Sequence, residues 1–183
     1  MLKPDRWIRE MAGRGMIEPF AEASVARGRI SHGLSAYGYD MRLSKHYRRL
    51  AAGDRAPIDP KTFGLERLEE IEASEIVVPP NELVIARSLE YFRIPRDILT
   101  LCFGKSTYAR CGIVVNVTPF EPEWEGFATL SISNTAPAPV KLYSGEGIAQ
   151  VVFLSADQAC ETSYADKRGR YQAQKDITLP ADR

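Results

Sequence analysis

Two segments of the sequence carry residue types and spacings that can do chemistry. The first is Gly104-Lys105-Ser106-Thr107-Tyr108-Ala109-Arg110-Cys111-Gly112. A glycine leads into a short helical turn whose opening residues offer an ammonium, two hydroxyls and free backbone N–H groups. Such a helix start attracts anions, because the unsatisfied donors and the dipole both favour negative charge. Arg110 follows Ser106 by four residues, so the two share a face. The same residues also fit a capped surface turn with Ser106 as its N-cap. The spacing is not that of a Walker A loop, which needs G-x-x-x-x-G-K-[ST].

The second segment runs from Val115 through Pro119 to Glu121, Glu123 and Glu125, which surround Trp124, and on to Asn134. Its carboxylates can hold a sugar hydroxyl or a metal-bound water, or they can form a solvated turn between two strands. Other chemistries find less support. His32 and His46 have no partner at ligand spacing and read as surface or turn residues. Both halves of the zinc nucleoside deaminase motif, H-x-E and P-C-x-x-C, are missing, which argues against a protein-ligated zinc. Nothing suggests a Ser-His-Asp or Cys-His apparatus. Cys102, Cys111 and Cys160 lie far apart, and their odd number argues for a reducing cytoplasm rather than a disulfide framework. Cys102 and Cys111 sit among apolar residues and read as small core residues.

The elements that must position these segments are mostly strands. A chain of 183 residues is expected to form one domain, 1–183, and 44% hydrophobic residues suffice for a core. Lysine plus arginine equals aspartate plus glutamate at 24 each, so no global field draws the chain to nucleic acid or an anionic membrane. Any anion site must be local. The opening MLKPDRWIREM is too polar for a signal peptide, and no apolar run reaches the roughly 18 residues of a membrane span. The expected location is cytoplasmic.

Pro4 to Met11 places Trp7, Ile8 and Met11 at helical spacing before Gly13 and Gly15, which predicts a short amphipathic helix. The stretch to about Arg55 has little periodicity, although GLSAYGYDMRL looks like a turn entering a strand. Beyond Ala73 the pattern is β: EIVVPP, ELVIARSLEYFRIP, ILTLCFGK, GIVVNVT, FATLSIS, PVKLY and IAQVVFL are short apolar runs separated by turn residues. Such spacing predicts a sandwich or barrel. Several runs are almost wholly apolar, which suggests that sister subunits cover their outer faces. From Ser163 onward the chain is polar and turn-rich, and is expected to be a tail that orders only on a partner or ligand.

The segment GKSTYARCGIVVNVTPFEPEWEG resembles the signature region of bacterial dCTP deaminases, relatives of the dUTPases. The resemblance extends to SAYGYDMR, LEYFRIPRDILTLC, GEGIAQVVF and SYADKRGRYQAQ, in that order, over most of the chain. It implies a mainly β, distorted jelly-roll barrel of the dUTPase-like type with few helices. It further implies a homotrimer with sites between subunits, no zinc, and Mg²⁺ carried by a nucleoside triphosphate rather than by the protein. The activity implied is hydrolytic deamination of dCTP to dUTP and ammonia. By position, Lys105, Ser106, Thr107 and Arg110 would hold the phosphates, with Ser106 and Arg110 helping to place the attacking water. Glu121 would contact the deoxyribose 3′-hydroxyl, and the backbone of Val117, Thr118 and Pro119 would read the base, with Thr129 beside them. Tyr164, Arg170 and Gln174 match tail positions that close over the nucleotide, with the tail spanning 163–183. Arg170 stands where lysine is usual, which changes the donor geometry.

One position departs from the family pattern. Where these deaminases read T-L-E-F-S-N, this chain reads Thr129-Leu130-Ser131-Ile132-Ser133-Asn134. Ser131 therefore occupies the position of the general base, and a hydroxyl has no useful basicity near neutral pH. Two further readings stay open: a nucleotide-binding homologue without turnover, and a dUTPase-like hydrolase with Glu121 activating water.

Overall fold

The computed structural model describes residues 1–54 and 56–180. The chain opens with helix α1 (Asp5–Ala12), then β1 (Ile17–Glu18), β2 (Gly33–Ser35) and the long β3 (Gly38–Leu50). After a loop come β4 (Leu68–Glu72), β5 (Glu75–Val78), β6 (Leu83–Arg93) and β7 (Ile98–Gly104). A single helical turn, α2 (Ser106–Ala109), precedes β8 (Ile113–Asn116), β9 (Glu125–Asn134), β10 (Val140–Tyr143) and β11 (Gly147–Ser155). Each of the seven apolar runs beyond Ala73 forms a strand, and the predicted N-terminal helix is displaced by one residue.

The main sheet follows the order β7-β11-β3-β6-β9-β8, with β1 on β6 and with β2 and β4 on β3. Its pairings are antiparallel and it curls into a barrel-like shape; β10 and β5 form a separate pair. The largest departure from the sequence reading is β3, which has the lengthiest span and the most partners. Its first part pairs with β2 and β11, and its second part with β4 and β6. The register shifts between Leu43 and Tyr47, and Leu43 and Ser44 are buried in succession. A bulge of this kind turns a strand from one sheet direction to another. It also breaks the period-2 signal, which is why the strand was only partly legible.

Tyr39, Tyr47, Phe92, Phe153, Leu130 and Ile132 are fully buried in the core. Helix α1 lays Ile8 and Ala12 on it, and Trp7 meets Phe153 with ring centroids 6.1 Å apart. Glu90 is also fully buried. It accepts hydrogen bonds from Arg42 Nε at 2.6 Å, Arg42 N at 2.9 Å and Tyr39 Oη at 3.1 Å. Burial pushes its carboxyl pKa up, and the Arg42 guanidinium opposes that push.

Three expectations are corrected. The segment after Ser163 is packed on the chain's own residues, with Ile177 and Leu179 buried against Phe63, Leu68 and Ile85. Residues 181–183 of the predicted tail lie outside the described residues. His46 sits within β3 rather than in a turn, and His32 is half-buried with Nδ1 lacking a partner. Among the described residues no helix is long and apolar enough to cross a membrane.

Removing one partner of a buried ion pair leaves the other uncompensated, so Arg42→Ala should cost about 3–5 kcal/mol. Urea unfolding of the variant and the unaltered protein measures this, and a loss under about 1 kcal/mol would place the charge pair in a solvated setting.

Candidate functional site

Strand β9 alternates strictly. Gly126, Ala128, Leu130, Ile132 and Asn134 are buried, while Thr129 and Ser131 stand on the opposite, half-buried face. Across the ladders, Ser131 lies opposite Asn116 of β8 and Ile85 of β6, and Thr129 lies opposite Arg87. The segment between β8 and β9 folds back over this face. Thr100 is buried, and its Oγ1 accepts a hydrogen bond from Phe120 N at 2.7 Å. Phe120 stacks on Trp124 at 4.6 Å between centroids, and Trp124 Nε1 donates to the Tyr171 carbonyl at 2.6 Å. These contacts fix the Val117–Glu121 loop from one side and the C-terminal segment from the other.

Together they enclose a cavity of about 670 Å³. Val117, Thr118, Pro119 and Glu121 line one wall, Thr129 and Ser131 the floor, and Tyr164 and Gln174 the roof. These predicted residues come from three separate stretches of sequence. Gln174 Nε2 donates to the Phe127 carbonyl at 2.9 Å and to Thr129 Oγ1, and Phe127 N donates to the Gln174 carbonyl at 2.9 Å. This approach needs Gly126, whose φ is +148° and where an added Cβ would meet Gln174 Cβ at 2.8 Å. Tyr164 Oη accepts from Tyr171 N at 3.1 Å. Gly169 lets the strap cross the Tyr164 ring, since a Cβ there would lie 2.3 Å from Cζ.

The carboxylates of the acidic segment are each matched to a cation. Glu121 faces Lys167 at 3.4 Å, Glu123 faces Arg96 at 2.6 Å, and Glu125 faces Arg93 at 3.8 Å. Arg96 also binds Asp166 at 2.8 Å. The Ser163 backbone N–H and Arg96 together hold the Asp166 carboxyl below the usual carboxylate range. Glu121 is the carboxylate that lines the cavity, and its pair with Lys167 is exposed and therefore weak.

The predicted phosphate residues lie elsewhere. Ser106 and Thr107 of α2 and Arg110 at its C-cap are exposed and do not line the cavity. The N-cap of α2 is Lys105 rather than Ser106, and no side chain caps it. Lys105 turns inward, where its ammonium binds Asp40 and donates to Ser31 Oγ at 3.2 Å. Gln150 Nε2 donates to the same Asp40 at 3.1 Å. Arg170 lines a neighbouring concavity that shares Gln174 and Thr178 with the main one.

Sequence reasoning did not single out Lys167 or Tyr171, although SYADKRGRYQAQ contains both. Leu99, Cys160 and Thr162 also line the cavity, and no spacing marked them. Cys111 is exposed, which corrects its reading as a core residue.

Residues 2–156 match the family model described as dCTP deaminase-like. The chain belongs to this dCTP deaminase-like family. A dCTP deaminase of Acidobacterium capsulatum is 59% identical over 179 residues, covering 98% of both chains. One of Helicobacter hepaticus is 54% identical over 182 residues, covering 98% of this chain and 97% of the other. Among solved structures, the 2′-deoxycytidine 5′-triphosphate deaminase of Agrobacterium tumefaciens matches with a TM-score of 0.65 at 20% identity. That match covers 84% of this chain and 47% of the other, so this chain spans about half its length. The likeness places the distorted jelly-roll barrel in the same fold as that family member. The family model ends at residue 156, so the roof residues Tyr164 and Gln174 lie beyond it. The curated relatives' coverage of nearly the whole chain extends into that region.

Burial pushes the Cys102 thiol up to about 12 from its ordinary 9.0. At pH 8 iodoacetamide should leave Cys102 unmodified in the folded protein and modify it after unfolding, as read by peptide mass mapping. The sign follows from linkage: a raised folded pKa gives stability that is complete below pH 9.0 and is lost as pH rises towards about 12.

Proposed function

We propose that this protein binds dCTP in the cavity over β9 and belongs functionally with the enzymes that release dUTP and ammonia from it. One observation carries the reading. Val117 to Glu121, Thr129, Ser131, Tyr164 and Gln174, matched to the family from distant parts of the sequence, line a single cavity. Its volume of about 670 Å³ suits a nucleoside, and its apolar walls with a few placed polar groups are what a small-molecule site requires. Within it, the Val117–Pro119 backbone would read the base edge and Glu121 would take the 3′-hydroxyl. Tyr164 and Gln174 belong to a strap, from 163 onward, that closes over the ligand, with the whole chain acting as one domain.

The triphosphate calls for a second copy. The side chains of Ser106 and Arg110 are exposed, and only the backbones of the two are bonded, Arg110 N–H donating to the Ser106 carbonyl at 3.1 Å. Leu99, Phe103 and Val114, on β7 and β8 at either side of α2, are exposed apolar residues. In a homotrimer these apolar residues would be covered, and α2 of one copy would bring its phosphate donors to the cavity of the next. The inward Lys105 would then serve first to fix the start of α2 through Asp40. No group of three or more His, Cys, Asp or Glu among the described residues is placed to hold a metal ion. An Mg²⁺ would arrive on the triphosphate, with oxygen ligands from phosphate and water.

Deamination adds water to C4 of cytosine and expels the 4-amino group, so a group must take a proton from water and return it to the leaving nitrogen. Ser131 stands where the family's carboxylate does this. Losing a positioned general base typically costs on the order of 10² to 10⁴ in rate. Turnover in this chain is therefore slow or absent, and Ser131 specifically favours a second reading, a nucleotide-binding homologue that holds its ligand unchanged. The dUTPase-like alternative would require Glu121 to activate water.

Chromatography of dCTP and dUTP incubated with the protein and Mg²⁺ separates these readings. Slow formation of dUTP supports the deaminase, unchanged nucleotides support the binding homologue, and a monophosphate product would replace both with a hydrolase. Ser131→Glu should raise ammonia release by at least about a hundredfold, and Ser131→Ala should leave the rate unchanged. No gain in the glutamate variant would count against the assigned role of this position. Arg110→Ala should weaken dCTP binding by at least about 1.5 kcal/mol, the low end for a charge-assisted hydrogen bond. An unaltered dissociation constant in calorimetry would remove α2 from the site.

A further inference from the structure

We infer that Phe63, Leu68 and Ile85 form a socket that retains the C-terminal strap, and that Ile177 and Leu179, seated in it, are positioning residues for Gln174. The proposal rests on the reading that the cavity takes a nucleotide, and it assigns a job to a hydrophobic cluster separate from the barrel core.

The strap is pinned at its start and its end, and between them Trp124 holds Tyr171 while Gln174 bonds Phe127 and Thr129. At its start, Arg96 holds Asp166, and Asp166 in turn accepts the Ser163 backbone N–H at 3.0 Å. At its end, Ile177 and Leu179 are each 4% exposed against the socket. The span from Lys167 to Arg170 and Ala173 is largely exposed. Apolar burial at the far end adds to the hydrogen bonds of Gln174 in holding the last part of the strap down.

The backbone just before the anchor needs to be held. Ala173 has a φ of +54°, a conformation that a Cβ-bearing residue other than Asn or Asp rarely adopts. Such a residue persists where its surroundings impose it. Its neighbour Gln174 is tied on both main chain and side chain to Phe127 and Thr129, and Thr178 N reaches Thr129 Oγ1 at 3.5 Å. Anchor and roof residue are three positions apart, Gln174 on β9 and Ile177 in the cluster that contains Ile85 of the adjacent β6.

The socket itself is built to stay in place. Arg67 grips Asp54 with two hydrogen bonds of 2.8 Å and donates to the Ala56 and Pro57 carbonyls, closing the loop that carries Phe63. Arg87, opposite Thr129, lies 4.2 Å over the Phe127 ring and 3.3 Å from Asp176. It links the cavity floor to the anchor. Loss of the anchor should free Gln174 from Thr129 while leaving the barrel folded.

The test uses the full chain with Ile177→Ala and, from the socket side, Phe63→Ala. Trypsin should cut at Lys167, Arg168, Arg170 or Lys175 about tenfold faster in both variants, with the cooperative thermal transition of the barrel retained. The dissociation constant for dCTP with Mg²⁺ should rise about tenfold in both. Unchanged proteolysis in both variants would overturn the socket as a retaining device. Faster proteolysis with unchanged dCTP affinity would overturn the positioning of Gln174. If the unaltered protein binds neither dCTP nor dUTP, the nucleotide reading falls and the role of Gln174 with it, while the proteolysis still decides whether the socket retains the strap.

Discussion

The period of β9 is the constraint on which the rest of the site depends. Side chains in a strand alternate between faces, so a strand that fills the core with Leu130 and Ile132 must present Thr129 and Ser131 on its other side. The core requirement therefore fixes the cavity floor to within a fraction of a residue, because a slip of one position would send every side chain to the wrong face. Pairing on both edges, to β6 and to β8, removes the freedom to slip. The residue at position 131 is placed by the packing of its neighbours, whatever its own chemistry.

That separation between placement and chemistry makes the serine informative. A hydroxyl in place of a carboxylate on the cavity side of β9 leaves the core face untouched, so the residue at position 131 can vary without disturbing the fold or the cavity walls. Walls, floor and roof are made by residues with other duties: Phe120 and Trp124 stack, Thr100 holds the turn, and Gln174 closes hydrogen bonds on Phe127. None of these contacts involves the Ser131 side chain.

Charge is used locally and in opposition. The chain carries no net charge, yet cations and anions are paired near the surface through Lys167–Glu121 and Arg96–Asp166, and inside the protein through Lys105–Asp40 and Arg42–Glu90. The surface pairs are exposed and individually weak. The inner ones are shielded from water and set backbone positions, Lys105 at the start of α2 and Arg42 at the bend of β3. Arg110, at the C-cap of α2, stands outside this scheme with its side chain exposed.

The seven strands beyond Ala73, the N-terminal helix and part of the cavity lining, from Val117 to Glu121 with Thr129, Ser131, Tyr164 and Gln174, were legible in the sequence, because apolar runs between turn residues report local burial and the matched motifs lie in contiguous segments. Strand β3 was largely hidden, since its bulge breaks the alternation and its half-buried positions carry Arg42, Arg48 and Arg49. The tail's polar composition suggested disorder, yet Ile177 and Leu179 find a socket made by residues about a hundred positions away. Likewise the sequence put Lys105 among phosphate ligands, and only the fold brought Asp40 and Ser31 to its ammonium. By itself the sequence determined the fold class, the family motifs and the serine at position 131, which are properties of neighbouring residues and their order. Tertiary structure alone decided which motifs share a cavity, which cations are already engaged and what holds the strap, because those depend on contacts between segments that no local pattern encodes.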